Sequence, residues 1–439
     1  MPGGPRARHS SGTGSVTYRR RVPLPTTRPR PARRLLVGTC GVLPLVVAGC
    51  AGGTGSAATS DPGTSGSPAT SAPVTAPSPT ASADPAAACV AETIEGLTAQ
   101  QRRGQLLMVG FDANAPLRSL DEVIVESHVG NVIYLGGWNG ADKVTRTSDH
   151  VQGLVSGTST GDVGLLVAAD QEGGIVHQLR GQGFTRPPAA RKQAAMDPAE
   201  LTEAAASWAE ELKAAGVNVN LAPVTDTVPE DIGRANEPIG KWGRQYGSTP
   251  GEVSRSATAF LEGMIEGGVE GTVKHFPGLG RIRNNTDFSS TGITDEVATE
   301  DDPFLQPFAD GIEAGAGLVM MASARYPKLD AENPAMFSEK IVTGLLRERL
   351  GYDGVVITDD VNAEALEDVD PGDRAVRVVA AGGDIVLTGA ASDADEMLEA
   401  LENAVAKDPE IAEKVDAAVE RVLTLKERMG LLPCSSSTG

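Results

Sequence analysis

The sequence is poor in aromatic residues, in cysteine and, beyond its first 50 positions, in basic side chains. Phe, Trp and Tyr make up 4% of its 439 residues, and there are four Cys. Nine of the 38 basic residues are Arg within the first 50 positions, which contain no Asp or Glu, so the remainder has 29 basic against 58 acidic side chains. Nucleic-acid binding depends on Lys and Arg contacts to phosphate. We therefore predict no nucleic-acid partner.

No apolar run reaches the roughly 20 residues that a membrane-spanning helix requires. The run over 35–47 follows an Arg-rich segment and is interrupted by Gly and Pro. It ends in Val-Ala-Gly-Cys, with the Cys at position 50, and this ending resembles a bacterial lipobox, whose Cys becomes the lipidated first residue of the mature protein. We predict a signal peptide over 1–49 and export to the outer face of the cell membrane with a lipid anchor at Cys50. A transmembrane anchor is the alternative.

The stretch over 50–88 contains, after its leading Cys, mainly Ser, Thr, Ala, Gly and Pro. Such a composition cannot bury enough apolar surface to fold, so we predict a disordered linker. The folded domain should then extend over 89–434, followed by a short tail at 435–439. Cys89 and Cys434 bracket this domain, and in an oxidising compartment we predict a disulfide between them. Two free thiols are the alternative.

Within the predicted domain, short apolar runs alternate with helical patterns. We predict strands at 131–135, 164–169, 218–222, 271–275, 318–322, 355–358 and 384–387. Helical patterns include 198–215, 250–267, 302–314, 338–350 and 392–406. Repeated βα units imply a parallel sheet, and seven or eight of them imply a single α/β barrel of the (β/α)8, or TIM, type. The alternative is a doubly wound open sheet, which is less favoured because no Gly-rich phosphate loop follows the first strand.

Charged residues follow several predicted strands at their carboxyl ends, where TIM barrels carry their active sites. They are Asp170, Asp226, Lys274, His275, Asp359 and Asp360, with Arg244 farther along one loop. A single Asp at a strand end is often only a helix N-cap, and Asp360 fits that description. Charge at several strand ends indicates instead a polar, hydroxyl-binding pocket with carboxylates available for chemistry.

Motifs at these strand ends resemble glycoside hydrolase family 3, and within it the single-domain bacterial β-N-acetylglucosaminidase lipoproteins. The segment that begins at Asp170 reads DQEGG, the one at Arg244 reads RQYG, and the one at Lys274 reads KHFPG. The resemblance implies sugar-binding roles for Asp170, Arg244, Lys274 and His275. It also implies that Asp359, in the segment ITDD, is the nucleophile, which the neighbouring cations should keep ionised. We predict no cofactor and no metal.

The sequence departs from the family where the acid/base should lie. The family usually carries an Asp-Ser-His triplet there, but this chain reads Asn285-Thr286-Asp287, and Leu279 replaces an earlier His. None of its five His, at 9, 128, 150, 177 and 275, can fill the role. We predict that Asp287 is the acid/base and that Asn285 orients it; an ordinary loop carboxylate is the alternative.

A second departure lies beyond the DQEGG segment. An Arg expected in that region is Gln178 here, with Arg180 close by. We predict that Arg180 takes part in substrate binding.

Together these residues predict a retaining glycoside hydrolase that removes terminal β-linked N-acetylglucosamine-type sugars by double displacement. Peptidoglycan fragments are one source of such a substrate. Two alternatives remain: a glycan-binding surface lipoprotein with little or no turnover, and a β-glucosidase-like specificity. The predicted partners are the carbohydrate and, through Cys50, the membrane, and we predict a monomer.

Overall fold

The computed structural model describes residues 84–434. The predicted signal peptide, Cys50, most of the linker and the tail at 435–439 lie outside the described residues. In the part that the structure describes, no helix is both long and apolar enough to cross a bilayer.

Eight parallel strands form one nearly closed barrel in which neighbours in sequence are neighbours in space. They are β1 (Leu107–Asp112), β2 (Asn131–Leu135), β3 (Leu166–Ala169), β4 (Val219–Asn220), β5 (Glu270–Phe276), β6 (Leu318–Met321), β7 (Val355–Thr358) and β8 (Val386–Thr388). Strand β8 pairs with β1, and a bridge between Ile357 and Ile385 joins β7 to the start of β8. The barrel prediction is confirmed, since a doubly wound sheet would reverse its strand order at a switch point.

All seven predicted strands are present, with ends that differ by at most two residues from the prediction. Strand β1 has no counterpart among them. Gly110 interrupts its apolar run, and Gly is depleted in strands because it has no side chain to pack. The barrel needs Gly there, since a Cβ would lie 2.4 Å from the carbonyl oxygen of Gly389 beyond β8.

Helices surround the barrel. They are α1 (Pro85–Gly96), α2 (Ala99–Gly104), α3 (Asp121–Val125), α4 (Ala141–Gln152), α5 (Ala190–Gln193), α6 (Pro198–Ala214), α7 (Pro250–Glu266), α8 (Gln306–Glu313), α9 (Pro371–Ala380), α10 (Ala394–Lys407) and α11 (Pro409–Arg428), with a π-helix at Lys340–Arg349. The pattern over 302–314 predicts one helix, but a 3-10 turn, Pro303–Leu305, comes first. Pro307 then occupies the first turn of α8, where a missing amide hydrogen costs nothing.

Capping residues begin the longer helices, and small residues let them pack closely. Asp197 accepts a hydrogen bond from the amide of Ala199 at the start of α6, and Thr249 forms a capping box with Glu252 at the start of α7. Helices α6 and α7 approach so closely that a Cβ on Gly263 would lie 2.3 Å from a backbone oxygen of α6. The abundance of Ala and Gly in the sequence thus serves helix packing.

The two ends of the described chain meet. Helix α1 packs against α11, and Cys89 forms a disulfide with Cys434 across a sequence separation of 345 residues. The helix begins at Pro85, before the expected boundary at Cys89, because Asp84 caps it by accepting a hydrogen bond from the amide of Ala86.

Three short ribbons follow strands at the carboxyl end of the barrel. They pair Trp138–Asn139 with Leu179–Arg180, Gln171–Gly173 with Val176–His177, and Arg325–Tyr326 with Asp330–Pro334. Short 3-10 turns also occur at Gly233–Ala235, Gly240–Trp242, Thr286–Phe288, Ala335–Phe337, Glu364–Leu366 and Ala391–Asp393. The carboxyl end of the barrel therefore carries several loops that can shape a site.

Candidate active site

Two acidic and two basic side chains form a network beyond the carboxyl ends of β3 and β5. Lys274 Nζ donates to Asp170 Oδ1 at 2.6 Å and lies 2.8 Å from Glu172 Oε1. Arg244 binds both carboxylate oxygens of Glu172, at 2.6 and 2.9 Å, and donates to the carbonyl oxygen of Pro238. The bidentate contact fixes the guanidinium plane, so the network holds its charges in a rigid arrangement.

The network keeps Glu172 and Lys274 ionised although both are buried. Burial alone would raise the pKa of Glu172, but Arg244 and Lys274 outweigh it and hold this pKa at about 2. Burial likewise opposes the charge of Lys274, and Asp170 and Glu172 reverse that effect and raise its pKa. Of the two carboxylates, Asp170 is half-buried and lines the adjoining cavity, whereas Glu172 is buried. Asp170 is therefore the carboxylate best placed to accept hydrogen bonds from a ligand's hydroxyl groups.

His275 is oriented by a separate carboxylate. Its Nδ1 lies 2.7 Å from Oδ2 of the fully buried Asp226, whose Oδ1 accepts from the amide of Leu279 at 2.6 Å. This contact uses one ring nitrogen, which leaves Nε2 for a ligand in the cavity that His275 lines.

A cavity of about 230 Å³ opens where these strand ends meet. Its polar lining includes Asp170, Lys274, His275, Asp287, Asp359 and Asp360. The structure therefore brings the predicted nucleophile, the predicted acid/base and most of the predicted sugar-binding residues together.

Asp359 follows β7 and is half-buried at the cavity. Burial and the negative charge of Asp287 raise its pKa to about 6, against the opposing influence of His275 and Lys274. From the sequence we expect the neighbouring cations to keep Asp359 ionised, and His275 and Lys274 do act in that direction, although burial and Asp287 outweigh them. Asp359 remains mostly ionised at neutral pH.

Asp287 lies on the 3-10 turn Thr286–Phe288, and its side chain is exposed. Oδ1 of Asn285 accepts a hydrogen bond from the amide of Asp287 at 3.1 Å, so Asn285 positions the backbone of this turn. The turn packs against Glu364–Leu366, in the loop that follows β7 and Asp359. This packing holds Asp287 near Asp359.

The loop that carries Asp287 is anchored by an ion cluster. Arg281 contacts the buried Asp295 and Asp302 at 2.9 and 2.8 Å, and its guanidinium stacks 3.9 Å from the ring centre of Phe304. These contacts restrain the loop on both sides of the turn, although Asp287 itself faces solvent.

Arg180 does not join the other predicted residues. Its side chain is exposed, it lies against Gly137 beyond β2, and it does not line the cavity. Gln178 has a structural contact, since its Oε1 accepts from the amide of Gly137 at 3.0 Å. A direct role of Arg180 in substrate binding stays a prediction.

The sequence assigns no specific role to two carboxylates of the site, Glu172 and Asp226. Glu172 lies inside the DQEGG segment, two positions after Asp170, and Asp226 is one of the charged residues at the predicted strand ends. The available signal is that Arg244 and Lys274, as buried cations, need carboxylate partners, and that a buried His275 needs a hydrogen-bond partner. Sequence alone does not tell which carboxylate supplies each partner.

Within residues 84–434, no three His, Cys, Asp or Glu side chains are grouped to hold a metal ion. The charged and polar side chains that line the cavity include carboxylates, an imidazole and cations. A carboxylate pair beside a network of charged side chains, at the carboxyl end of a TIM barrel, is typical of the glycoside hydrolase class of site.

Comparison with known proteins gives the particular family. Residues 98–425 match the model of the glycosyl hydrolase family 3 N-terminal domain, and the chain belongs to this family. It is a glycoside hydrolase.

Three relatives illustrate the match. A β-N-acetylhexosaminidase from Beutenbergia cavernae, known from a crystal structure, is 47% identical in sequence and has a TM-score of 0.73. The match covers 75% of this chain and 98% of that protein's chain. A family 3 β-N-acetylglucosaminidase from a Paenibacillus species is 33% identical over 76% of this chain, with a TM-score of 0.66; the match spans 63% of that protein. An uncharacterized secreted glycosyl hydrolase from Arthroderma benhamiae is 33% identical over 68% of this chain and 84% of its own.

Proposed function

We propose that this glycoside hydrolase removes terminal β-linked N-acetylglucosamine with retention of configuration, using Asp359 as nucleophile and Asp287 as acid/base. The observation that carries the proposal is the common cavity, which Asp359 and Asp287 line beside the network around Lys274. The names of the Beutenbergia and Paenibacillus relatives support the choice of sugar.

In the first step, a carboxylate oxygen of Asp359 attacks the anomeric carbon of the bound sugar. The bond from that carbon to the glycosidic oxygen breaks, and Asp287 gives its proton to the departing oxygen. The products are a covalent glycosyl ester on Asp359, an ionised Asp287 and a free alcohol. The step requires the proton on Asp287 and the charge on Asp359.

In the second step, the Asp287 carboxylate takes a proton from water as the water oxygen attacks the anomeric carbon. The ester bond to Asp359 breaks, and both carboxyl groups return to their starting states. Two inversions give net retention. A carboxylate at position 287 repels phosphate, so water is the expected acceptor.

The network around Lys274 orients the sugar for both steps. Asp170 accepts hydroxyl hydrogen bonds, while Lys274 and Nε2 of His275 lie on the cavity wall. Because Glu172 and Asp226 fix the partner side chains, the sugar meets a preorganised surface. Preorganised polar groups lower the barrier more than mobile ones do.

The test is a panel of 4-nitrophenyl β-glycosides with the purified chain from residue 84 onward, with the first product's anomer followed by NMR. We expect the N-acetylglucosaminide to be preferred and a β-product to form first. A preference for the glucoside would favour a β-glucosidase-like specificity. Sugar binding without turnover would favour a glycan-binding protein. A slowly hydrolysed fluorosugar should label Asp359, and labelling of Asp360 would contradict the assignment.

The natural source of the sugar is tested separately. We propose peptidoglycan fragments, in which N-acetylglucosamine is β-linked to a second sugar. Turnover of disaccharides from peptidoglycan and from chitin should be compared under the same conditions. A kcat/KM much higher for the chitin disaccharide would contradict a peptidoglycan source.

We propose that the protein is exported and anchored by a lipid at Cys50. The secreted Arthroderma relative supports export. The disulfide between Cys89 and Cys434 also suits an oxidising compartment. The intact protein should partition into detergent, and its Cys50→Ala variant should not. Equal membrane association of both proteins would contradict the anchor.

A further inference from the structure

Exposed apolar side chains are few in the described chain, and Phe288 is the most exposed of them. Six large hydrophobic side chains are exposed: Leu117, Ile175, Trp242, Ile265, Phe288 and Val297. Phe288 is 75% exposed and directly follows Asp287, which lines the active-site cavity. Because its ring is left in water one residue from Asp287, Phe288 is available to contact a ligand that extends out of the cavity.

A tight turn holds the backbone that carries the ring. The amide of Phe288 donates to the carbonyl oxygen of Asn285 at 3.1 Å, and the amide of Asp287 donates to the side chain of the same Asn. Thr286 is only 1% exposed and anchors the turn. The ring therefore projects from a restrained backbone, one residue after Asp287.

The proposed reaction places a second sugar next to Asp287. An acid that protonates the glycosidic oxygen must lie within hydrogen-bond reach of it, roughly 2.6–3.2 Å. The leaving group begins at that oxygen, so its first ring must pass close to Asp287. The sugar that is attacked lies on the other side of the oxygen, against Asp170 and Lys274. Phe288 does not itself line the cavity, but it follows Asp287 on the turn beside which this leaving group must pass.

We propose that Phe288 forms a leaving-group subsite that binds the face of a pyranose ring. The inference rests on the proposed role of Asp287 as acid/base. An aromatic face carries negative charge density and attracts the partly positive C–H groups on the apolar face of a sugar. The neighbouring Asn285 and Asp360, both on the cavity wall, offer acceptors for its hydroxyl groups. A single ring is too small a surface for a protein or lipid partner.

The first test compares two substrates that share the attacked sugar. One is a β-linked disaccharide, and the other is the β-glycosyl fluoride, whose leaving group has no ring. Phe288→Ala should lower kcat/KM for the disaccharide about tenfold, mainly through KM, because an aromatic contact of this kind is worth roughly one power of ten. The fluoride should be hydrolysed at the wild-type rate, and Phe288→Trp should behave like wild type on both substrates.

The matched control is Ile265→Ala, which removes another exposed apolar side chain near the amino end of β5, outside the active-site cavity. It should leave both substrates unaffected. Equal values for wild type and Phe288→Ala on the disaccharide would overturn the subsite. Equal losses on disaccharide and fluoride would overturn it as well, because they would indicate damage to the reaction itself.

A second test separates the subsite from the proposed activity. A sulfur-linked disaccharide is not hydrolysed, so its affinity can be measured by calorimetry even if turnover fails. Phe288→Ala should weaken its binding about tenfold. Weakened binding without wild-type turnover would overturn the proposed activity and support the subsite, whereas unchanged binding would overturn the subsite. Analogues with a neutral second sugar and with one bearing a carboxylate distinguish chitin-type from peptidoglycan-type leaving groups.

Discussion

Two buried lysines lie near opposite ends of the barrel and have opposite surroundings. Lys274, near the carboxyl end of β5, is 2% exposed and contacts the carboxylates of Asp170 and Glu172. Lys426, on α11, is fully buried and donates to Oε1 of Gln105 and to the carbonyl oxygen of Gly130, which precede β1 and β2. The partners of Lys274 are charged and those of Lys426 are neutral.

The two environments move the lysine pKa values in opposite directions. Carboxylates outweigh burial at Lys274 and raise its pKa, whereas burial alone lowers the pKa of Lys426 to about 7. The carboxyl end of the barrel thus keeps full charges in a dry setting, where they can bind a polar ligand. The amino end favours a neutral side chain, which serves only packing and hydrogen bonding. Whether a buried lysine can serve function therefore depends on the groups that it contacts.

The largest effect is expected at Asp359, whose charge the carboxyl end must supply for chemistry. Asp359→Ala should lower turnover by at least about a thousandfold, because no other group can form the covalent intermediate. Sugar binding should persist, since the network around Lys274 remains. Steady-state kinetics and calorimetry measure the two effects. Asp360→Asn is the matched control, and a greater loss in that variant would assign the nucleophile to Asp360.

Replacing each lysine by Met tests the comparison directly. Lys274→Met leaves Glu172 and Asp170 buried or half-buried without their shared cation, so the free energy of unfolding should fall by about 3–5 kcal/mol. Sugar affinity should fall as well. Lys426→Met leaves two neutral acceptors, Gln105 Oε1 and the carbonyl oxygen of Gly130, without their donor, so it should cost less, about 1–3 kcal/mol. Urea denaturation of both variants gives the result, and equal destabilisation would contradict the distinction.

Asp287 belongs to the same end of the barrel but is exposed, so its removal should have a selective effect. Asp287→Ala should damage poor leaving groups by about 100-fold or more and activated aryl glycosides far less, since these need little protonation to depart. Azide, which needs no base, should restore turnover and yield a β-glycosyl azide. Losses independent of the leaving group, without azide product, would remove Asp287 from the acid/base role.

The charge of Asp287 should also be visible in the pH profile. Burial and, after it, the charge of Asp287 raise the pKa of Asp359 to about 6, so kcat/KM for a substrate that needs no acid should rise with pH through this value as Asp359 ionises. Asp287→Asn removes the negative charge, lowers the pKa of Asp359 and should shift this limb to lower pH. Asp287→Glu keeps the charge and is the control. An unchanged limb in the Asn variant would show that the two carboxylates do not interact.

The smallest effect is expected from titration of Lys426. Its folded-state pKa of about 7 lies below the ordinary value of 10.5, so between these values the unfolded chain binds more protons. Wild-type stability should therefore gain up to about 1.4 kcal/mol per pH unit as pH rises above 7. Lys426→Met should lack this contribution, which the difference between the two unfolding curves isolates. Parallel curves would show that Lys426 titrates normally.

Much of the barrel could be predicted from local patterns. The apolar runs of β2 and β7 mark their strands to the residue, and Asp197 and Thr249 mark the starts of α6 and α7. The exception, β1, contains Gly110, which weakens the strand pattern but is required by the neighbouring backbone. That requirement comes from β8, which lies far away in sequence, so no local pattern can reveal it.

The sequence by itself determined the βα alternation, the order of the strand-end motifs and the absence of a suitable His in the acid/base position. These depend on residue types and short spacings. Only the tertiary structure decided that Glu172 binds Arg244, 72 residues away, and that Lys274 reaches Asp170, 104 residues away. It also decided that Arg180 lies outside the cavity and that Asp287, not a cation, acts most strongly among the charged neighbours of Asp359. The physical reason is that electrostatic energy depends on distance and burial, which strands distant in sequence acquire only when the barrel closes.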